Sequence, residues 1–159
     1  DVGELTGEAP NAFLMGGGMG GAITMALGLA LAQPERAVLA VFGDGECLMN
    51  AGSLSTVGFM QPDNLAMLCV DNGTYGETGN QLTHTARNAD LELIARGCGI
   101  DSTLTVHSEE HYADAATLLR KDGAPRFILL RVSDAAPPAY GRNFDAVERK
   151  TLFRRALLG

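Results

Sequence analysis

Apolar and polar positions fall into blocks along this chain rather than alternating residue by residue. Ala22 to Ala32 (AITMALGLALA) is apolar nearly all round, which predicts a helix enclosed on several sides by protein. Pro34-Glu35-Arg36 stop it. Ala37 to Phe42 (AVLAVF), Leu65 to Val70 (LAMLCV) and Phe127 to Val132 (FILLRV) are continuous apolar runs of strand length, the pattern of parallel strands covered on both faces. Cys47 to Phe59 reads as a helix, Asp90 to Cys98 as a short helix, and Leu104 to Val106 as a weaker strand. Ser108 predicts a helix cap, with Glu109 and Glu110 in the first turn and the helix running to about Lys121. Glu77 to Asn88 is polar with little periodicity. A Pro-rich joint at Ala136-Pro137-Pro138 leads to a basic terminal helix from about Phe144 to Leu158. The β-α-β-α order predicts an α/β fold of three layers, a mostly parallel sheet with helices on both faces, as a single domain over residues 1–159.

Composition narrows the function classes. With 159 residues, 46% of them apolar and 19% charged, the chain has material for one packed core and is not disordered. Nineteen acids against twelve bases give a net charge of −7, and no Lys/Arg block appears, so no nucleic-acid partner is expected. Cys47, Cys69 and Cys98 lack C-x-x-C spacing, which argues against a disulfide framework or a cysteine-held zinc or iron–sulfur centre and suits a reducing cytoplasm. Cys69 lies in an apolar run and reads as core. The acidic start at Asp1, Glu4 and Glu8 is unlike a signal peptide. The uncharged stretch from Ala12 to Gln33 is interrupted by Gly16, Gly17, Gly18, Gly20 and Gly21, leaving too little good helix for a membrane span. No membrane partner is expected.

Ligands of open parallel sheets bind beyond the carboxyl ends of the strands. Gly43-Asp44-Gly45 and Asp71-Asn72-Gly73-Thr74 occupy two such ends. If their strands are neighbours, Asp44 and Asn72 converge. A carboxylate, an amide oxygen and a backbone carbonyl are hard donors of the kind Mg²⁺ takes, and helix N-termini after both turns would offer N–H groups to a phosphate. Ordinary strand-end turns also favour Gly and Asp. Gly16, Gly18 and Gly21 satisfy G-x-G-x-x-G, so a nicotinamide dinucleotide-binding domain is a second class; only Ala12 to Met15 is available as the preceding strand, and the acid near the expected position is Glu35. A non-catalytic partner subunit is a third. His107 and His111 stand four apart without H-E-x-x-H and are expected at the surface. Arg149, Lys150, Arg154 and Arg155 are expected on the charged face of the last helix.

The two turns together carry a resemblance. Gly43-Asp44-Gly45, 26 residues (46–71) and Asn72 follow the thiamine diphosphate signature. The run GGGMGGAITMALGLALAQPERAVLAVFGDG resembles the pyrophosphate-binding domain of thiamine diphosphate-dependent 2-oxoacid decarboxylases, and DNGTYG resembles its metal loop. YGETGNQLTHT is similar to the loop that sulfopyruvate and phosphonopyruvate decarboxylases carry after the metal site. The resemblance spans about Gly16 to Ile100. It implies a thiamine diphosphate-binding fold in which Asp44 and Asn72 hold Mg²⁺ through side chains and Thr74 through its carbonyl. Gly45 and Glu46 would offer backbone N–H groups to the diphosphate. Met19 would wedge beneath the cofactor, bending it so that its own imino nitrogen reaches the reacting carbon; the Gly17 carbonyl would accept a hydrogen bond from the aminopyrimidine. Gly18, Tyr75 and Gly76 complete the implied cofactor-binding set. His84, with Gln81 or Thr85, is a candidate to face substrate or partner. Asp71 stands where many members have Asn, and Glu46 where Ser or Ala is frequent, so the Glu46 side chain is expected to point away from the diphosphate.

The same resemblance implies that the activating glutamate sits in a pyrimidine-binding domain, for which the chain has no room. The expectation is therefore a β subunit completed by a separate α subunit, in a hetero-oligomer with paired β subunits. The implied reaction is decarboxylation of a small anionic 2-oxoacid, 3-sulfopyruvate to sulfoacetaldehyde and carbon dioxide first. Phosphonopyruvate, another short oxoacid or a carboligase outcome comes next, and a ferredoxin-linked oxidoreductase last, because cluster cysteines are missing.

Overall fold

The computed structural model describes residues 2–135, 139–141, 143 and 145–159. The expected joint at Ala136-Pro137-Pro138, the helix start at Phe144 and the charge of Asp1 lie outside the described residues. The chain divides into two compact units, residues 1–19 with 135–159, and residues 20–134.

The larger unit is built on four parallel strands: β1 (Val38–Gly43), β2 (Leu65–Asp71), β5 (Ser102–Val106) and β6 (Arg126–Arg131), in the order β1-β2-β6-β5. Val38 pairs with Leu65 and Gly43 with Val70, so β1 and β2 run in step to their carboxyl ends. The apolar runs follow from where their residues go. Leu65, Met67 and Cys69 of β2, with Phe127 and Leu129 of β6, face a core closed by α2 (Ala22–Ala32), α4 (Gly52–Met60) and α5 (Leu91–Gly97). Leu68 of β2 and Ile128 and Leu130 of β6 face the other way, toward α6 (Tyr112–Arg120). Helices on both faces make the three layers, and β2 and β6 carry apolar side chains on both sides. β1 departs from the expected cover on both faces, because Val38, Ala40 and Phe42 are buried in the core while Leu39 on the other face is 54% exposed.

The helix expected over Cys47 to Phe59 is two helices, α3 (Asp44–Met49) and α4, broken at Asn50–Ala51. Asn50 leaves the helical region (φ −144°, ψ 49°), and its Nδ2 donates to the Gly20 carbonyl at 2.9 Å. A side chain that finds a backbone partner elsewhere competes with helix continuation. The helix at Ser108 also starts later than expected. Its hydroxyl makes no cap bond to the backbone but pairs with His111 Nδ1 at 3.2 Å, residues Glu109–His111 form one 3-10 turn, and α6 begins at Tyr112. Asp90 does cap α5, accepting from the Leu93 N–H at 3.0 Å. Where α4 passes the end of α5, a Cβ on Gly58 would lie 1.7 Å from the Cys98 carbonyl oxygen, so only glycine fits.

The polar stretch after β2 is more ordered than its composition suggests. β3 (Thr74–Tyr75) and β4 (Gln81–Leu82) form a short antiparallel hairpin, and a 3-10 turn covers His84–Ala86. Two-residue strands are below the length at which periodicity can register.

In the smaller unit, which holds α1 (Val2–Thr6) and α7 (Ala146–Leu158), polar contacts tie α7 to the segment that follows α1. Arg149 does not sit on a charged face: it is 4% exposed, donates to the Ala12 carbonyl at 2.8 Å and pairs with Glu8 Oε2 at 3.2 Å. Tyr140 donates to the other Glu8 oxygen at 2.8 Å, and the Phe13 and Phe153 rings lie 5.4 Å apart. Lys150, Arg154 and Arg155 are exposed as expected.

Candidate functional site

The carboxyl ends of β1 and β2 are adjacent, and the chain turns off both with an acid. Asp44 follows Gly43, whose register partner is Val70, and Asp71 follows Val70. Asp44 and Asp71 therefore leave the sheet side by side, with Asn72 one residue further. Both carboxylates are buried, at 1% and 2% exposure. Burying a charge is costly unless it is paired and hydrogen-bonded, and the two acids differ here.

Asp71 is fully provided for. Its Oδ2 forms an ion pair with Arg131 at the end of β6, and its Oδ1 accepts from the Gly73 N–H at 3.0 Å and lies 2.8 Å from the Thr85 hydroxyl. Asp44 has no cation among the described residues. Its Oδ2 lies 2.5 Å from the Thr83 hydroxyl and 3.0 Å from that of Thr85, while no hydrogen bond of the described residues reaches Oδ1. Thr83 and Thr85 are themselves buried and 2.9 Å apart.

The second loop is fixed from outside. Asn72 Oδ1 accepts from the Thr74 N–H at 3.1 Å, closing a turn, and its Nδ2 donates to Asp134 at 3.4 Å. Asp134 also accepts from the Thr74 hydroxyl at 3.1 Å and from Asn80 Nδ2 at 2.7 Å. No helix follows this turn; the β3–β4 hairpin does, which corrects the expectation of a second helix N-terminus. Gly73 takes φ 73°, a conformation that suits glycine.

The first turn does run into a helix, α3, starting at Asp44. Tyr75 packs on it: a Cβ on Gly45 would lie 2.5 Å from the ring. Glu46 turns its carboxylate to the start of α2, where Oε1 accepts from the Ala22 N–H at 3.0 Å. Gly76 and His84 are exposed, the latter between the buried Thr83 and Thr85; Gln81 is also exposed and bonds to Thr78. Beneath the acids, a hydrogen bond with Cys47 and burial push the Cys69 thiol far up, with Asp44 and Asp71 adding to the shift. Cys69 stays a neutral core group and offers no nucleophile. Gly17, Gly18 and Met19 belong to the smaller unit, where Gly17 takes φ 69° and Met19 is 41% exposed.

Among the described residues no group of three or more His, Cys, Asp or Glu side chains is placed to hold a metal. The donors at the strand ends that could hold an ion are Asp44 Oδ1, the Asn72 amide oxygen and a loop carbonyl such as that of Thr74, with further oxygens to come from a ligand of the ion. That mixture fits a hard, six-coordinate cation that shares phosphate oxygens. A buried carboxylate that, among the described residues, has one oxygen without a hydrogen bond and no counter-charge is what such an ion would complete. Ala12 to Met15 form no strand, so the G-x-G-x-x-G run lacks the strand–turn–helix setting of a dinucleotide site. His107 and His111 are exposed and make no metal cluster. Sequence reasoning passed over Thr83, Arg131 and Asp134 and named Thr85 only beside His84. Arg131 ends an apolar run, and its charge facing the Asp71 end of the next strand was the available signal.

The family model for the thiamine pyrophosphate enzyme C-terminal TPP-binding domain matches residues 1–130. Over 110 residues the chain is 47% identical to sulfopyruvate decarboxylase subunit beta of Methanocaldococcus jannaschii, a match covering 69% of this chain and 58% of that protein. It is 41% identical over 131 residues to phosphonopyruvate decarboxylase of Streptomyces viridochromogenes, covering 82% of this chain and 32% of that one. The match thus spans less than two thirds of either relative. The solved structure of a thiamine diphosphate-dependent 4-hydroxybenzoylformate decarboxylase from Rhodococcus jostii superimposes with a TM-score of 0.62 at 24% identity, over 72% of this chain and 23% of that chain, a likeness of fold. Among the described residues no helix is long and apolar enough to cross a membrane.

Proposed function

The chain belongs to the thiamine pyrophosphate enzyme family, matching its C-terminal cofactor-binding domain, and from that premise we propose that it is the β subunit of a thiamine diphosphate- and Mg²⁺-dependent 2-oxoacid decarboxylase. One observation carries the reading: the buried Asp44 carboxylate stands at the strand end beside the Asn72 turn with one oxygen free and no cation among the described residues.

In this reading Asp44 and Asn72 hold Mg²⁺ by side-chain oxygens and Thr74 by its carbonyl. The N–H groups of Gly45 and Glu46 at the start of α3 face the diphosphate, with Tyr75 and Gly76 closing that side. The resemblance assigns cofactor binding to Gly17, Gly18 and Met19 as well, Met19 as the apolar wedge. A thioether suits an irregular apolar contact. When bound, the cofactor supplies the electron sink for carbon–carbon bond cleavage. The chain's own share is to hold the ion and diphosphate, to fix the cofactor's shape, and to screen the site from water. His84 is exposed and is kept as a candidate to meet substrate or partner.

The substrate proposed is 3-sulfopyruvate, giving sulfoacetaldehyde and carbon dioxide; the identity to a sulfopyruvate decarboxylase subunit supports it. The identity to a phosphonopyruvate decarboxylase supports phosphonopyruvate as the second reading. The single pyrophosphate-binding domain is completed by an α subunit with the pyrimidine-binding domain and activating glutamate, in a cytoplasmic hetero-oligomer with paired β subunits. The test is to purify the protein with the subunit that accompanies it and assay aldehyde formation from sulfopyruvate, phosphonopyruvate and pyruvate side by side. Turnover of sulfopyruvate above the other two is expected, dependent on Mg²⁺ and thiamine diphosphate. Turnover of none, with cofactor bound, would overturn the decarboxylase assignment.

A further inference from the structure

The threonine pair at 83 and 85 has no role in the reading above, yet it makes the closest side-chain contacts to Asp44. Both hydroxyls lie within hydrogen-bond distance of the same oxygen, Asp44 Oδ2, at 2.5 and 3.0 Å. None reaches Oδ1 among the described residues. Each hydroxyl has one proton to donate. Thr83 donates to Asp44 over the shorter contact. Thr85 lies 2.9 Å from Thr83, 3.0 Å from Asp44 and 2.8 Å from Asp71, so one proton serves three acceptors. Asp71 is already held by Arg131 and the Gly73 N–H; among the described residues nothing else holds Asp44 at Oδ2.

We infer that Thr83 and Thr85 are positioning residues for Asp44: their hydroxyls fix Oδ2 and so leave Oδ1 as the oxygen presented to the metal ion. The inference rests on Asp44 being a metal ligand. Three features point the same way. All three side chains are buried, so water does not take the place of either hydroxyl. The two threonines flank the exposed His84 on a 3-10 turn, so one short segment delivers both. That turn follows the hairpin of the Asn72 loop, and the Thr83 N–H donates to the Gly73 carbonyl at 2.8 Å. The same residues thus tie the Asp44 carboxylate to the loop that carries the second ligand. Outer contacts of this kind orient a ligand and raise its affinity for the ion.

The test compares Thr83→Val and Thr85→Val, which keep shape and remove the hydroxyl, with Thr83→Ser and Thr85→Ser, which keep the hydroxyl and remove the methyl. Asp44→Asn is the reference. Mg²⁺ affinity in the presence of thiamine diphosphate is measured by calorimetry on the protein assembled with its partner subunit, with melting temperature as the check of folding. Each Val variant is expected to lose on the order of 10-fold or more in Mg²⁺ affinity, and each Ser variant to stay within about threefold of the parent. If the Val variants bind Mg²⁺ like the parent while Asp44→Asn does not, the positioning role is overturned and the metal assignment stands. If Val and Ser variants lose affinity equally, packing of the methyl is responsible and the role is likewise overturned. If Asp44→Asn itself binds normally, the metal reading falls and this inference with it. Should a Val variant fail to fold, the Ser variant at the same position decides: a large loss there overturns the role.

Discussion

At each end the sheet buries an ionisable side chain that has no oppositely charged partner among the described residues, and the two ends treat it differently. At the amino end, Arg126 opens β6 at 2% exposure. No carboxylate lies within ion-pair distance of it among the described residues, and burial pulls its guanidinium below the usual value, opposed by Asp122 and Asp63 nearby. The chain answers with its own carbonyls: Nη1 donates to Asp63 at 2.6 Å and Ala124 at 2.8 Å, and Nη2 to Leu119 at 3.4 Å. At the carboxyl end, two hydroxyls lie against one oxygen of Asp44 and, among the described residues, none against the other. Arg126 is met by carbonyls of the chain; Asp44, in the reading proposed above, is met by a bound ion. A fold consistent at every level keeps such exceptions for functional positions.

The largest effect expected from this contrast is at Asp44. Asp44→Asn keeps the shape and the acceptor for the threonines but removes the charge. It should weaken Mg²⁺-dependent cofactor binding by on the order of 100-fold or more, read by calorimetry, while the cofactor-free protein melts at the same temperature or higher, because a buried uncompensated charge has been removed. A clear fall in that melting temperature would place Asp44 with Arg126 as a structural charge.

Arg126→Ala should do the reverse. Three backbone carbonyls lose their donor at once, which should cost about 3 kcal/mol of stability in denaturant unfolding. The loss should be the same with and without Mg²⁺ and thiamine diphosphate. Dependence on the ion would mean that the two ends are coupled.

Arg131→Met tests the middle case, since Arg131 ends the strand that Arg126 begins. It would leave Asp71 negative beside Asp44. Its side chain is 38% exposed, so solvent softens the penalty. A destabilisation of about 2 kcal/mol is expected in the cofactor-free protein, and saturating Mg²⁺ should recover part of it because the ion answers the excess charge. Equal loss with and without Mg²⁺ would separate the Asp71–Arg131 pair from the ion site.

Of this contrast the Asp44 end is legible in the sequence and the Arg126 end is not, and what is missed has a common cause. The apolar runs of β2 and β6 were readable because strands covered on both faces have no polar positions to interrupt them; β1 was readable as a strand, but its expected cover on both faces fails at the exposed Leu39. Helix α2 was readable to both ends because a glycine cluster precedes it and Pro34 follows. That the turns carrying Asp44 and Asn72 leave adjacent strand ends was readable because parallel neighbours bring their carboxyl ends together. Thr83 and Asp134 were not, since each acts across a gap of many residues through one hydroxyl or carboxylate, and no periodicity marks that. The break at Asn50 was hidden for the same reason: the partner that diverts it, the Gly20 carbonyl, lies 30 residues earlier.

The smallest effect belongs to Glu46, where the resemblance alone suggested a side chain out of place. Helix α2 begins after Gly21, which has no side chain to cap it, and Glu46 supplies the missing acceptor by taking the Ala22 N–H. An acid at a helix N-terminus also meets the favourable end of the helix dipole. With Asn50 holding the Gly20 carbonyl, α3 thereby fixes the entry to α2 at two points. Glu46→Ala should therefore cost about 1 kcal/mol of stability, the usual value of a lost cap, and Glu46→Gln less, since an amide oxygen still accepts. Both are read by denaturant unfolding of the cofactor-free protein. If Glu46→Ala is neutral there but weakens cofactor binding, its side chain serves the ligand and the capping role is wrong.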